Sequence, residues 1–275
     1  MLGKLIKHEW LSTWKVPTAL SIYIGILTAL GCISFLSPMW ESEHFLIEII
    51  AGLSIILYMF SLFALTITVF VYFVVRFYRN MYTNEGYLMH TLPVKPWELL
   101  FSKGLVFFIW SILSSLIMIL SVLLLVLTAV SRMDGVTLSA AWATFMEELP
   151  EISAMWKEMF GFGFVGYILV MILSAIISLV YSILMIYTSI SVGQLFSKHK
   201  VLASFIAYAC INFIVQTITS LFQLPFMAMD IEENINEFSG VFNFSIWSSL
   251  GVCVILAVVY AFVTNFIMSK KLNLD

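Results

Sequence analysis

The residues that could do chemistry in this chain are few and scattered. The four histidines, His8, His44, His90 and His199, stand at four separate positions, and no His-Glu-x-x-His pair is present to hold a zinc ion. Cys32, Cys210 and Cys253 lie singly inside apolar runs, without the paired spacing of a disulfide framework or a thiolate metal site, and read as small packing residues. There is no Gly-x-Ser-x-Gly elbow to present a nucleophile. There is no Gly-x-x-x-x-Gly-Lys-Ser/Thr loop either, so any ATP hydrolysis has to come from another chain. Gly161-Phe162-Gly163-Phe164-Val165-Gly166 has the spacing of a dinucleotide fingerprint. That fingerprint needs a strand before it and an acidic residue about twenty positions after it; here an acidic amphipathic stretch precedes and a long apolar run follows. The glycines read as places where another helix comes close. The expectation is a chain with no catalytic, cofactor-binding or metal-binding residues of its own.

What remains is charge, and it is sorted. Lys4, Lys7, Lys15, Arg76, Arg79, Lys95, Lys103, Lys198, Lys200, Lys270 and Lys271 flank one side of six long apolar runs, and only Arg132 and Lys157 flank the other. The positive-inside rule makes the first side cytoplasmic and puts both termini there. Glu41, Glu43, Glu48, Asp134, Glu147, Glu148, Glu151, Glu158, Asp230, Glu232, Glu233 and Glu237 fall on the opposite side, in agreement. The net charge of −3 matters less than this division. A basic inner rim suits anionic lipid headgroups, and nothing points to nucleic acid.

The elements that carry these charges follow from composition. Hydrophobic residues make up 62% of the 275 and charged residues 11%, against about 45–50% and 25% in soluble domains. Apolar runs of about 20 residues match the thickness of a bilayer core at 1.5 Å per helical residue. They are expected near Val16–Leu36, Ile47–Val75, Leu99–Val130, Phe160–Phe196, Val201–Leu224 and Phe242–Met268. The first run is too long for the apolar core of a signal peptide and lacks a small-residue cleavage pattern, so it reads as a retained span. The fold class is therefore an all-α membrane protein with six transmembrane helices, both ends inside, organised as one domain over 1–275.

Shorter elements complete it. Residues 1–15 form an amphipathic helix, with Leu2, Leu5, Ile6, Trp10 and Trp14 on one face and Lys4, Lys7, His8 and Lys15 on the other, suited to the cytoplasmic leaflet. Residues 132–159 repeat apolar side chains at spacings of three and four, broken by Pro150, and predict one or two short helices on the outer surface. Residues 225–243 form a second outer segment, with Pro225 ending or kinking the fifth span. Between spans two and three, the loop 76–98 is aromatic and polar. It allows a short helix around Tyr82, Gly86, Tyr87 and Leu88, an extended step before Pro93, and a helix start at Pro96-Trp97-Glu98 with a carboxylate in its first turn.

Within the spans, no Asp, Glu, Lys, Arg or His sits at mid-helix, which argues against a proton- or ion-coupled carrier. Asn212, Gln216, Thr219 and Ser220 share helical spacing on span five. They serve either as interhelical hydrogen-bonding groups or as a polar stripe along a translocation path.

The loop also carries a resemblance. Glu85-Gly86-Tyr87-Leu88, then Thr91-Leu92-Pro93-Val94, then Leu99-Leu100-Phe101-Ser102-Lys103 resembles the intracellular loop of bacterial type-2 ABC exporter permeases. Phe266-Ile267-Met268-Ser269-Lys270-Lys271-Leu272-Asn273 is similar to the end of such permeases, and the basic amphipathic start to their connecting helix. The topology matches over nearly the whole chain, the specific residues over about twenty positions. The resemblance implies a permease that docks short cytoplasmic helices into clefts on a separate ATPase subunit, which holds ATP and Mg, and that works beside a second permease chain, identical or homologous. By position Asn84, Glu85, Gly86, Tyr87, Leu88 and Met89 would form the coupling helix, and Lys198 and His199 a second contact. The aromatic, methionine-rich spans suit a hydrophobic or amphipathic cargo such as an antimicrobial peptide, drug or lipid, exported across the bacterial cell membrane. The outer segment 132–159 is longer than a minimal member needs. The competing readings are a carrier or channel without an ATPase, and a membrane sensor that transports nothing.

Overall fold

A computed structural model of the chain describes residues 2–37, 45–83, 85–86, 89, 91, 93–131, 138–196, 198–227 and 235–270. Among them are eight helices of 12 residues or more and no strand: α1 (Leu2–Thr13), α2 (Lys15–Leu36), α3 (Phe45–Tyr82), α4 (Pro96–Val130), α5 (Leu138–Phe160), α6 (Phe164–Gly193), α7 (Lys200–Met227) and α8 (Ile235–Lys270). Six contain segments long and apolar enough to cross a membrane: Lys15–Leu36, Ile49–Tyr82, Pro96–Val130, Phe164–Gly193, Lys200–Leu221 and Gly240–Lys270. The chain is a multi-pass integral membrane protein.

Local chemistry sets the helix ends. Pro17 sits in the first turn of α2, where a missing N–H leaves no bond unmade. Pro96 opens α4, and Glu98 Oε2 accepts from the Lys95 N–H at 3.2 Å, capping the start of the helix. The 35 residues of α4 extend about 52 Å at 1.5 Å each, well beyond a hydrocarbon core of about 30 Å. Ala51, Tyr58, Leu62, Leu65, Val69 and Phe73 are buried along α3, at the three-, four- and seven-residue steps of a single helical face.

The chain divides into two compact units, Met1–Arg76 with Leu105–Phe145, and Phe77–Gly104 with Met146–Asp275. In the first, α1 is held by an ion pair: Arg76 Nε donates to Glu9 Oε1 at 2.9 Å, and Arg76 also donates to the Ser12 hydroxyl. Trp10 stacks on Trp110 with centroids 4.9 Å apart, and Phe73 on Phe107 at 4.8 Å. Hydroxyls join the apolar helices: Thr28 and Ser121 lie 2.6 Å apart, and Tyr58 bonds Ser121. In a bilayer these bonds have no water to compete with them, yet each adds only about 1 kcal/mol, because the unfolded spans find partners too.

In the second unit, α6 packs against both α7 and α8. Gly193 allows the α6–α7 approach, since a Cβ there would collide with the Ser204 backbone. Thr188 on α6 bonds Thr264 Oγ1 at 2.9 Å and donates to the Tyr260 carbonyl on α8 at 3.1 Å. Gly161, with φ +76, turns the chain between α5 and α6, and Trp156, Phe160, Tyr167 and Phe242 cluster around that corner.

Two boundaries differ from the sequence reading, and other details are refined. Helix α3 continues through Arg76 to Tyr82, so the first seven residues of the 76–98 loop belong to the span. The run Phe160–Phe196 is interrupted at Gly161–Gly163 because glycine takes a positive φ there at no steric cost, and Phe160 belongs to α5. Of the alternatives left open by the sequence, α5 is one helix through Pro150, and α7 runs through Pro225 to Met227, so that proline does not end it. On α1 the inward face centres on buried Glu9 and Thr13, and Trp14 is exposed; the ion pair to Arg76, not the apolar arc alone, sets its rotation.

Candidate functional site

The turn that follows α3 is built on the second unit. Phe77 lies flat on Tyr187 with centroids 3.6 Å apart, and Tyr82 OH lies 2.5 Å from Ser191 Oγ. These two contacts fix the last turns of α3 against the last turns of α6. Met81 is fully buried between them in sequence. The chain then reverses: Thr83 Oγ1 donates to the Arg79 carbonyl at 2.6 Å, and the Gly86 N–H to the Thr83 carbonyl at 2.7 Å. A Cβ on Gly86 would run into the Met81 carbonyl, so the tight turn admits glycine alone.

That turn presents Glu85. Its side chain is 54% exposed, yet two neighbours hold it. Arg79 Nη2 donates to Glu85 Oε1 at 3.2 Å. Asn80, buried, bridges inward: its amide donates to Glu85 Oε2 at 2.7 Å, and its oxygen accepts from Lys103 Nζ at 3.2 Å. The surrounding donors and acceptors set this amide orientation, the one that satisfies carboxylate and ammonium together. Lys103 is only 5% exposed, and taking an ammonium out of water costs several kcal/mol unless it is paired and hydrogen-bonded. Asn80, with the carboxylate beyond it, supplies part of that compensation. Sequence-distant Glu85 and Lys103, two residues of the motif in the loop, are thus joined through one amide.

The second expected contact lies beyond the C-terminal end of α6. Lys198 and His199 are exposed in the turn to α7. His199 has φ 55, a left-handed conformation that histidine adopts more readily than most residues. Its carbonyl accepts from the Ala203 N–H at 2.9 Å, starting α7. Because Tyr82 meets Ser191, the Glu85 turn and the Lys198–His199 turn emerge at one end of this unit. Met89 is half-buried. Asn84, Tyr87 and Leu88 lie outside the described residues.

The α7 stripe is a different case. Gln216 and Ser220 are exposed, Asn212 and Thr219 half-buried, and the Thr219 hydroxyl donates to its own helix at Val215 O, 2.8 Å away. Among the described residues, these four are not gathered with polar groups of another helix in the unit.

Two interacting positions escaped the sequence reading. Asn80 gave no signal, being one polar residue among several near a helix end. Glu9 did: a carboxylate at helical spacing with Ile6 and Thr13, on a face otherwise turned inward, calls for a cation. The assembled site offers an oriented anion on a two-helix support, with cations nearby and, among the described residues, no nucleophile and base in contact. It is suited to docking. No protein-family model, curated protein or solved structure matches the chain.

Proposed function

We propose that this chain is the transmembrane permease subunit of an ATP-driven ABC exporter in the bacterial cell membrane, moving a hydrophobic or amphipathic cargo. The observation that carries the reading is the Glu85 turn. A merely connecting loop has no need of a buried lysine and a buried asparagine behind one exposed carboxylate. A docking element that transmits force does, since its contact group has to keep its direction when pushed. The sorted lysines place this turn and the Lys198–His199 turn on the cytoplasmic side, where a soluble ATPase holding ATP and Mg would meet them. Nucleotide-driven closure of two ATPase subunits would then pull on these turns in two permease chains. Cargo would move because the two states bind it with different affinity. Helix α1 would lie at the inner leaflet and α5 at the outer surface.

Purification of the tagged chain in mild detergent from its native host, with copurifying proteins identified by mass spectrometry, tests this. A near-stoichiometric ATPase is expected with the wild type, and its loss or a clear fall in ATP turnover with Glu85→Arg. A Glu85→Arg chain that keeps its ATPase at unchanged turnover removes the docking role. Recovery of the chain alone from both detergent and lipid nanodiscs removes the exporter reading.

A further inference from the structure

A cavity of about 550 Å³ opens among α2, α3 and α4 in the first unit, within the range of about 300–1,000 Å³ typical of small-molecule sites. Its walls are aliphatic and aromatic, with no ionisable Asp, Glu, Lys, Arg or His side chain among them. An ionised ligand would find no counter-charge. Set into these walls are Ser34, Ser54, Tyr58 and Ser61, and the hydroxyl protons of Tyr58, Ser54 and Ser61 can be traced.

A carbonyl cannot donate, so the Thr28 hydroxyl gives its proton to the Ile24 carbonyl, 2.7 Å away. Ser121, 2.6 Å from Thr28, must then donate to it. Tyr58 in turn must donate to Ser121, whose single proton is already placed. The chain runs one way, from Tyr58 through Ser121 and Thr28 to the backbone. Ser54 donates to the Ala51 carbonyl at 2.6 Å and Ser61 to the Tyr58 carbonyl at 2.7 Å. These three hydroxyls therefore offer lone pairs and no proton. Tyr58, at the head of a donating chain, is the strengthened acceptor, because a hydroxyl that donates accepts better. Tyr23 also borders the cavity but is 51% exposed, so its hydroxyl is not committed to the interior.

We infer that this cavity binds an uncharged amphiphile that donates hydrogen bonds, a long-chain alcohol, acylglycerol or amide, with its apolar body along the helices and its O–H or N–H directed at Tyr58, Ser54 and Ser61. This deepens the exporter reading by naming a cargo class. On the charge-based orientation the cavity lies in the outer half of the membrane, being lined by the ends of α2 and α4 remote from the lysines.

Photolabelling of the full chain in nanodiscs tests it without ATP or an ATPase. Two diazirine probes share one acyl chain: a monoacylglycerol with both hydroxyls free, and its di-O-methyl ether. The expected result is labelling of α2, α3 and α4 peptides by the free-hydroxyl probe, with Tyr58→Phe weakening it about threefold to tenfold, the value of one neutral hydrogen bond. The ether should label weakly, and equally in both proteins. Ser54→Ala makes the same test, with a smaller loss, should Tyr58→Phe not yield folded protein. Equal labelling by both probes, indifference to both substitutions, no labelling of these helices, or crosslinks there to a second copy of the chain would each overturn the inference. A chain that binds the donor probe but never recovers an ATPase would keep this site and lose the exporter.

Discussion

Asn80 separates two kinds of contact at the Glu85 turn. The Arg79–Glu85 pair is exposed on both sides, 64% and 54%, and pairs of that kind contribute at most about 1 kcal/mol. The Asn80 amide works against a buried ammonium, and hydrogen bonds to charged groups are worth about 1.5–3 kcal/mol. Asn80→Leu should therefore lower the unfolding free energy by about 1.5–3 kcal/mol and weaken ATPase copurification, although Asn80 itself is buried. Arg79→Gln should change stability by under about 1 kcal/mol. Thermal unfolding in one detergent, run beside the pull-down, checks both; equal effects from the two substitutions would deny the inward link any special role. Glu85 and Lys103, at the two ends of this arrangement, were singled out in the sequence by the resemblance. The link between them was not. A lone asparagine has no periodic signature, and its value arises only when the fold brings a lysine 23 positions later within 3.2 Å.

Helices show the same division between what pattern specifies and what packing decides. All six spans were readable, because a bilayer demands long uninterrupted apolar runs and little else imitates them. Their ends were less so. Apolarity continues from Phe160 into Phe164 across a turn made by Gly161, and hydropathy does not register a change of backbone direction. Likewise Arg76–Tyr82 is polar enough to read as loop, yet it stays helical because Phe77 and Tyr82 pack on Tyr187 and Ser191. Glycine at the α6–α7 contact has no such signal in isolation. A Cβ at Gly193 would overlap the Ser204 backbone, which cannot move aside as a flexible side-chain end can. Gly193→Ala should push α7 from α6 and cost about 1–3 kcal/mol, as overpacking does. Gly25→Ala, where nothing lies within 4 Å of the added carbon, should be neutral or slightly stabilising. Unfolding of the two variants side by side distinguishes a packing requirement from a general intolerance of side chains in place of glycine.

At the scale of the whole molecule the spans are thinly covered by protein: 28% of the apolar window is buried in Gly240–Lys270 and only 6% in Lys200–Leu221. Which uncovered faces meet lipid and which a second chain is not written in composition, since lipid tails and a helix partner's side chains have the same apolar chemistry. The sorting of lysines and arginines gives the proposed orientation, on which the exporter reading depends: the Glu85 and Lys198–His199 turns can serve a soluble ATPase only from the cytoplasm. With Cys32, Cys210 and Cys253 replaced by alanine, a single cysteine can be placed by Lys198→Cys or by Glu147→Cys, both at exposed positions. A membrane-impermeant maleimide applied to intact bacterial cells, stripped of their outer layers where these obstruct it, should label the Glu147→Cys chain at once. It should reach the Lys198→Cys chain only after the membrane is permeabilised. The reverse pattern would put both turns outside, where no ATP-hydrolysing partner could reach them, and would end the exporter reading even if the helices themselves were all correctly placed. Labelling of both in intact cells would mean an odd number of crossings between residues 147 and 198 is wrong, and that α6 does not span.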